Sequence, residues 1–158
     1  MLYYFSGGPK VDFIEITGIL GTKLVDIRNI CAEYLHGMAD TGSRNLIHSL
    51  IEQKKTHISE LKELAESREL SQVSFPESET RAYLDRICNT AGFSSDMSHL
   101  EFLQFIEQRL VVFHEFYSFL AGHAGNEESS FLFRRFEEED RKEAALIRDR
   151  FDLLTLSS

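Results

Sequence analysis

Tryptophan is absent from the 158 residues, proline and cysteine occur only twice each, and no uninterrupted apolar run approaches the length that spans a bilayer. Each scarcity excludes something. With Pro9 and Pro76 the only prolines, long stretches are free of the residue that most often breaks a helix. Cys31 and Cys88 lie far apart in sequence, form no CxxC pair, and each occupies an apolar position of a helical pattern. They read as reduced thiols packed in a core, and a disulfide or metal knuckle is not expected. Positive charge is also short: 17 Lys and Arg stand against 26 Asp and Glu, a formal net charge of -9. The cations are scattered among acidic residues, so nucleic acid is excluded as an expected partner. The opening segment MLYYFSGGPK has no basic region leading into an apolar stretch with a small-residue cleavage site. A soluble, cytoplasmic protein with no membrane association is the expectation. GxSxG, a glycine-rich phosphate loop and HExxH are all missing, which removes the common hydrolase, nucleotide and zincin signatures.

What remains is 42% hydrophobic, with 13 Phe and 5 Tyr, enough to bury one core and too short for two ordinary domains. We therefore read residues 1–158 as a single domain. Apolar residues recur at helical spacing, so the fold class is all-α. The first helix is predicted from about Asp12 or Glu15 to Ala39, with Leu20, Leu24, Ile27, Cys31, Tyr34, Leu35 and Met38 on one stripe. Asp40-Thr41-Gly42-Ser43 ends it and starts the second, over about Ser43 to Ser67, for which Ser43 reads as the N-cap. Its stripe is Ile47, Leu50, Ile51, His57, Ile58, Leu61 and Leu64. A turn this short makes the two helices antiparallel neighbours, a hairpin over about 12–67. Residues 68–98 form a crossover with one short amphipathic piece, Ser78 to Asn89. A second hairpin, about 97–154, has a third helix from Met97 to Ala124 and a fourth from Glu127 to Leu154 with Leu132, Phe136, Leu146, Ile147, Leu153 and Leu154 inward.

The two hairpins repeat one another. Glu33-Tyr-Leu-His-Gly-Met-Ala39 aligns with Glu115-Phe-Tyr-Ser-Phe-Leu-Ala121, and Ile47, Ile51 and Leu61 then match Leu132, Phe136 and Leu146. The second hairpin, EQRLVVFHEFYSFLAGHAGNEESSFLFRRFEEEDRKEAALIRDRF, resembles the ferritin-like, rubrerythrin-type pattern of a helix ending in FYxxLAxxA, a turn, and a helix reading LFxxxxxEExxHxxxL. EYLHGMAD and LIHSLIEQKKTHISELKEL carry the looser match of the first hairpin. The resemblance implies an up-down-down-up four-helix bundle of two similar hairpins joined by a long crossover that contains a short helix.

It also implies a di-iron or di-manganese centre, held by a Glu from each of the first and third helices and a Glu-x-x-His pair from each of the second and fourth. Transferred residue by residue, the second-helix pair becomes Lys54 and His57, and the fourth-helix pair Glu139 and Lys142. The first- and third-helix positions fall at Ile27 and Arg109, with Ile30 and Val112 one turn on. Only His57 and Glu139 remain as metal-ligand types, with Glu52, Glu107 or Glu143 able to enter if the frame is off by a turn. Glu137, Glu138 and Asp140 read as a solvated face, with Glu139 alone on the inner stripe. The resulting expectation is that Lys54 or Arg109 reaches Glu139 and takes the electrostatic place of the metal. No cofactor is expected, iron or manganese being the alternative. The family implies a homodimer or higher homo-oligomer, to which Leu2, Tyr3, Tyr4 and Phe5 would contribute, serving as a structural or interaction protein. A metal-binding oxidoreductase or iron-handling protein with a reduced site is the other reading.

Overall fold

The computed structural model describes residues 8–67, 73–89 and 92–157. Leu2 to Phe5 and parts of the crossover, 68–72 and 90–91, lie outside the described residues. The chain is predominantly helical. Five helices, α1 (Phe13–Leu35), α2 (Thr41–Ala65), α3 (Glu77–Cys88), α4 (His99–His123) and α5 (Glu127–Ser157), carry the fold among the described residues.

Two three-residue strands, β1 (Lys10–Asp12) and β2 (Ser74–Pro76), pair antiparallel with Val11 opposite Phe75. The all-helical expectation missed them, because three residues are too few to show a period-two pattern. Val11 and Phe75 are both buried, and Phe75 stacks on Phe13 at 6.2 Å between ring centroids. The Glu77 amide donates to Pro9 O at 3.0 Å, so the strands fasten the start of α1 to the start of α3.

The helix ends follow from their capping chemistry. Arg44 Nη1 donates to Leu35 O at 2.9 Å and Met38 O at 2.8 Å, adding to the Met38 amide, which also donates to Leu35 O at 3.2 Å, and so covers the carbonyls where α1 gives way to a turn. The helix ends at Leu35, short of Ala39. Asp40, not Ser43, caps α2: its Oδ2 accepts from Ser43 N at 2.8 Å and from Ser43 Oγ at 2.6 Å. An acidic side chain three residues before Ser43 competes well for that amide and welcomes the helix dipole. Ser98 and Glu101 form a reciprocal capping box at α4. Gly125, at φ +74, makes the left-handed turn into α5, where Asn126 Oδ1 accepts from Ser129 N at 2.8 Å.

Residue pairs give the helix directions. α1 packs on α2 and α4 on α5. The start of α1, at Ile14 and Gly18, lies beside Leu61 and Ala65 at the end of α2, and Ser130 Oγ near the start of α5 donates to Ala121 O near the end of α4 at 2.9 Å, so each pair is an antiparallel hairpin. The end of α1 meets the start of α4, where Tyr34 stacks on Phe102 at 3.9 Å and its hydroxyl donates to Met97 O at 2.6 Å. Along α2 and α5, Asp40 pairs with Arg150 and Glu60 with Arg135, so these two also run antiparallel. α3 lies across α1 and α4, held by Arg81 on Glu15 at 3.0 and 3.1 Å and by Arg86 on Glu115 at 2.7 Å.

The Glu33/Glu115 register carries Leu20, Leu24, Ile27 and Cys31 onto Phe102, Ile106, Arg109 and Phe113, all of them buried. The register of the other helix pair is corrected by one residue. Leu146 and Leu153 are 49% and 51% exposed, Leu132 and Leu154 are half-buried, and the inner line of α5 runs Ser129, Phe133, Phe136, Asp140, Ala144, Ile147. Ile47, Leu50, Lys54 and Leu61 then correspond to Phe133, Phe136, Asp140 and Ile147. Cys88 is likewise exposed, because α3 buries Thr80, Leu84 and Ile87 instead; Cys31 is buried, which pushes its thiol up to about 12.

Candidate functional site

The one-residue shift on α5 changes which charges enter the core. Asp140 is fully buried, Glu139 is about one third exposed, and Lys142 is in solvent. The expectation that Glu139 alone faces inward is therefore corrected to Asp140, with Glu143 half-buried one turn further on.

Lys54 on α2 is also fully buried, and its ammonium forms an ion pair with Asp140 Oδ1. The pair sits among aromatic rings, with Lys54 Nζ 5.7 Å from the Phe113 ring centroid. Helical spacing puts His57 one turn after Lys54 on the same face. Its ring stacks on Phe136 at 4.0 Å and meets Tyr117 edge-on at 6.4 Å. His57 Nε2 lies 3.0 Å from Glu139 Oε2 and Nδ1 lies 4.0 Å from Asp140 Oδ1.

Burial, followed by the nearby charges of Lys54 and Arg135, pulls His57 down to about 2. The imidazole is accordingly neutral, with its proton on Nε2 facing the Glu139 carboxylate and a lone pair on Nδ1. Glu139 is held on its other oxygen by Arg135 Nη1 at 3.0 Å, and Arg135 also pairs with Glu60. The outer charges thus form a chain, Glu60, Arg135, Glu139, His57, from the edge of the bundle to its interior. Burial pushes the Asp140 and Glu143 carboxyls up, against the pull of Lys54. His57 Nδ1, Asp140 Oδ2, Glu143 Oε2 and the hydroxyl of fully buried Tyr117 have no hydrogen-bond partner among the described residues.

The remaining sequence candidates disperse. Arg109 starts from the inner face of α4 but donates to Arg86 O at 3.1 Å and Ile87 O at 2.7 Å, closing the C-terminal end of α3. It does not reach Glu139, and burial lowers its pKa. Glu52 is exposed and pairs with Lys55 at 3.1 Å. Glu107 faces Arg148 at 3.5 Å, and Glu143 accepts from Ser49 Oγ at 3.5 Å. The sequence reading missed Asp140 and Arg135 as members of this site; Tyr117 was expected on the inner face of the third helix, where it lies, but only as a core residue. The signal for Asp140 was available: it continues the spacing set by Phe133 and Phe136.

These residues do not fit an iron or manganese pair. The ammonium of Lys54 already lies against Asp140, the position matching Arg109 on α1 is Ile27, and among the described residues no group of three or more His, Cys, Asp or Glu side chains is arranged to hold a metal ion. A cation placed beside Lys54 would meet repulsion in surroundings that screen charge poorly. No helix of the described residues is long and apolar enough to cross a membrane. Comparison of the chain with family models, curated proteins and solved structures returns no match.

Proposed function

We propose that the chain is a ferritin-like bundle of the up-down-down-up kind, of the rubrerythrin type, that has no di-metal centre and serves as a structural or interaction protein. The single observation that carries this is the Lys54–Asp140 pair, an ammonium and a carboxylate buried together between α2 and α5. The helix directions support the fold reading. After the shift on α5, the positions that would hold metals carry Ile27, Lys54, His57, Arg109, Asp140 and Glu143, two of them cationic and one aliphatic. Four carboxylates offset the charge of a di-metal pair in such bundles; here the interior charge is balanced by Lys54 instead.

The test is metal content by mass spectrometry on untagged protein, before and after incubation with ferrous iron or manganese. The expected outcome is no bound metal and no change of melting temperature on adding chelator. About two equivalents per chain would overturn it. A homodimer or higher homo-oligomer remains part of the proposal, and a monomer by sedimentation velocity would remove that part. The second reading, a metal-binding oxidoreductase or iron-handling protein with a reduced site, draws on the unpartnered His57 Nδ1, Asp140 Oδ2 and Glu143 Oε2. A single tightly held equivalent that disappears in His57→Ala would support it.

A further inference from the structure

The Lys54–Asp140 contact has features that a simple ion pair does not require. Both side chains are fully buried and touch directly, Asp140 Oδ2 has no partner, and the Phe113 ring lies 5.7 Å from Lys54 Nζ. A lone pair on His57 Nδ1 points into the same space, 4.0 Å from Asp140 Oδ1 and without a partner. Glu143, half-buried, leaves a second carboxyl oxygen unpartnered nearby.

We propose that Lys54 and Asp140 are joined by an amide bond, formed by condensation of the Lys54 Nζ amine with the Asp140 carboxyl carbon, so that the pair is a site of intramolecular covalent modification.

The chemistry balances without any reagent from outside. Transfer of one proton from the ammonium to the carboxylate gives a neutral amine and a neutral acid, the forms that apolar surroundings favour. The nitrogen lone pair attacks Asp140 Cγ and the new C–N bond forms as the C=O opens to a tetrahedral centre. A proton then passes from the nitrogen directly to the hydroxyl oxygen bound to the same carbon, which makes it a leaving water. The C–OH bond breaks, the C=O re-forms, and one water leaves. No electron is gained or lost.

Two physical arguments favour the step. Holding amine and acid in contact inside a folded core corresponds to effective concentrations of roughly 10⁵–10⁸ M for well-oriented groups. Condensation also replaces two buried charges, which are costly to desolvate, by one neutral amide. The bond would link α2 to α5, and with them the two hairpins. This goes beyond the scaffold reading while resting on the same Lys54–Asp140 contact, and the two fail separately: an uncrosslinked protein that binds no metal would end this proposal and leave that one standing.

The experiment is intact-mass measurement of the full chain under denaturing conditions, followed by tryptic mapping with fragmentation. The expected protein is lighter than its sequence by one water, about 18 Da, and is resistant to trypsin after Lys54. Residues 45–55 and 136–141 are then recovered as one branched peptide with the loss assigned to Lys54 and Asp140. Lys54→Arg restores the full mass expected for that variant. A wild-type chain at full mass, with those segments recovered as separate peptides, overturns the proposal, as does a water loss that maps elsewhere or persists in Lys54→Arg. Because the wild-type mass decides the matter, a variant that fails to fold does not blunt the test.

Discussion

His57 and Glu139 are joined across α2 and α5 by one 3.0 Å contact, Nε2 to Oε2, and the imidazole that makes it is neutral. Two cations close to the ring and its burial oppose a second proton, so Glu139 accepts a hydrogen bond from His57 and shares a charge pair only with Arg135.

A pH dependence follows. The unfolded His57 titrates near 6.5, whereas the folded one is held down to about 2. Below pH 6.5 the unfolded chain gains a proton that the folded chain refuses, so this contribution to stability is complete above 6.5 and is lost as pH falls. The slope is about 1.4 kcal/mol per pH unit. Asp140 and Glu143, raised by burial, act in the opposite sense, their contributions being complete at low pH and lost as pH rises through the folded values. His57→Gln isolates the histidine. In urea titrations the wild type should lose stability faster than this variant between pH 6.5 and about 4.5, and parallel curves would show that His57 is protonated in the folded protein.

Removing one member of the central pair should be severe. Lys54→Met keeps the length of the side chain but leaves Asp140 buried without its cation, a change expected to cost about 3–5 kcal/mol. The urea midpoint at pH 7 measures it. A loss no larger than that of an exposed lysine, such as Lys55→Met, would show that water reaches Asp140.

Arg109 should matter to α3 more than to the centre. Its two hydrogen bonds satisfy carbonyls at the last turn of that helix, so Arg109→Met is expected to cost about 1–3 kcal/mol. Hydrogen exchange should accelerate selectively in residues 77–88. Equal acceleration in α5 would place Arg109 in the central charge chain after all.

Asp40 combines a helix cap with a pair to Arg150 at 3.0 and 2.6 Å, and these contacts hold its carboxyl well below the usual carboxylate range. Asp40→Ala should remove about 1–2 kcal/mol, and in the wild type its contribution should start to fall as pH drops below the unfolded carboxylate value near 4 and be lost only as pH passes down through the depressed folded value. Gly42→Ala separates the two roles. A Cβ there would lie 2.6 Å from the Arg150 guanidinium carbon, displacing the arginine while leaving the cap. Its loss in thermal melts should be smaller than that of Asp40→Ala.

Much of the fold was legible because helices of this length repeat their apolar residues many times. Leu20, Leu24, Ile27 and Cys31 define a face of α1 that no other frame explains, and the matching line on α4 follows. On α5 the frame was ambiguous for a physical reason. Leu132 and Phe133 are adjacent and both apolar, as are Leu146 and Ile147, while Glu139 and Asp140 are adjacent and both acidic. Periodicity within about a third of a turn cannot decide between such neighbours. Packing against α4 decides, by turning Phe133, Asp140 and Ile147 inward. The same rotation takes Leu146 and Lys142 to the surface.

By itself, the amino-acid order determined the helical class, the short turns and hence the antiparallel hairpins, and the presence of the cations Lys54 and Arg109 on otherwise apolar helix stripes. These are properties of spacing and residue type along one helix at a time. Tertiary structure alone decided which carboxylate Lys54 meets, that Arg109 turns to the carbonyls of α3, and that β1 and β2 pair. Each depends on the rotation or approach of a second element, and a buried charge selects its partner by which one packing brings within reach.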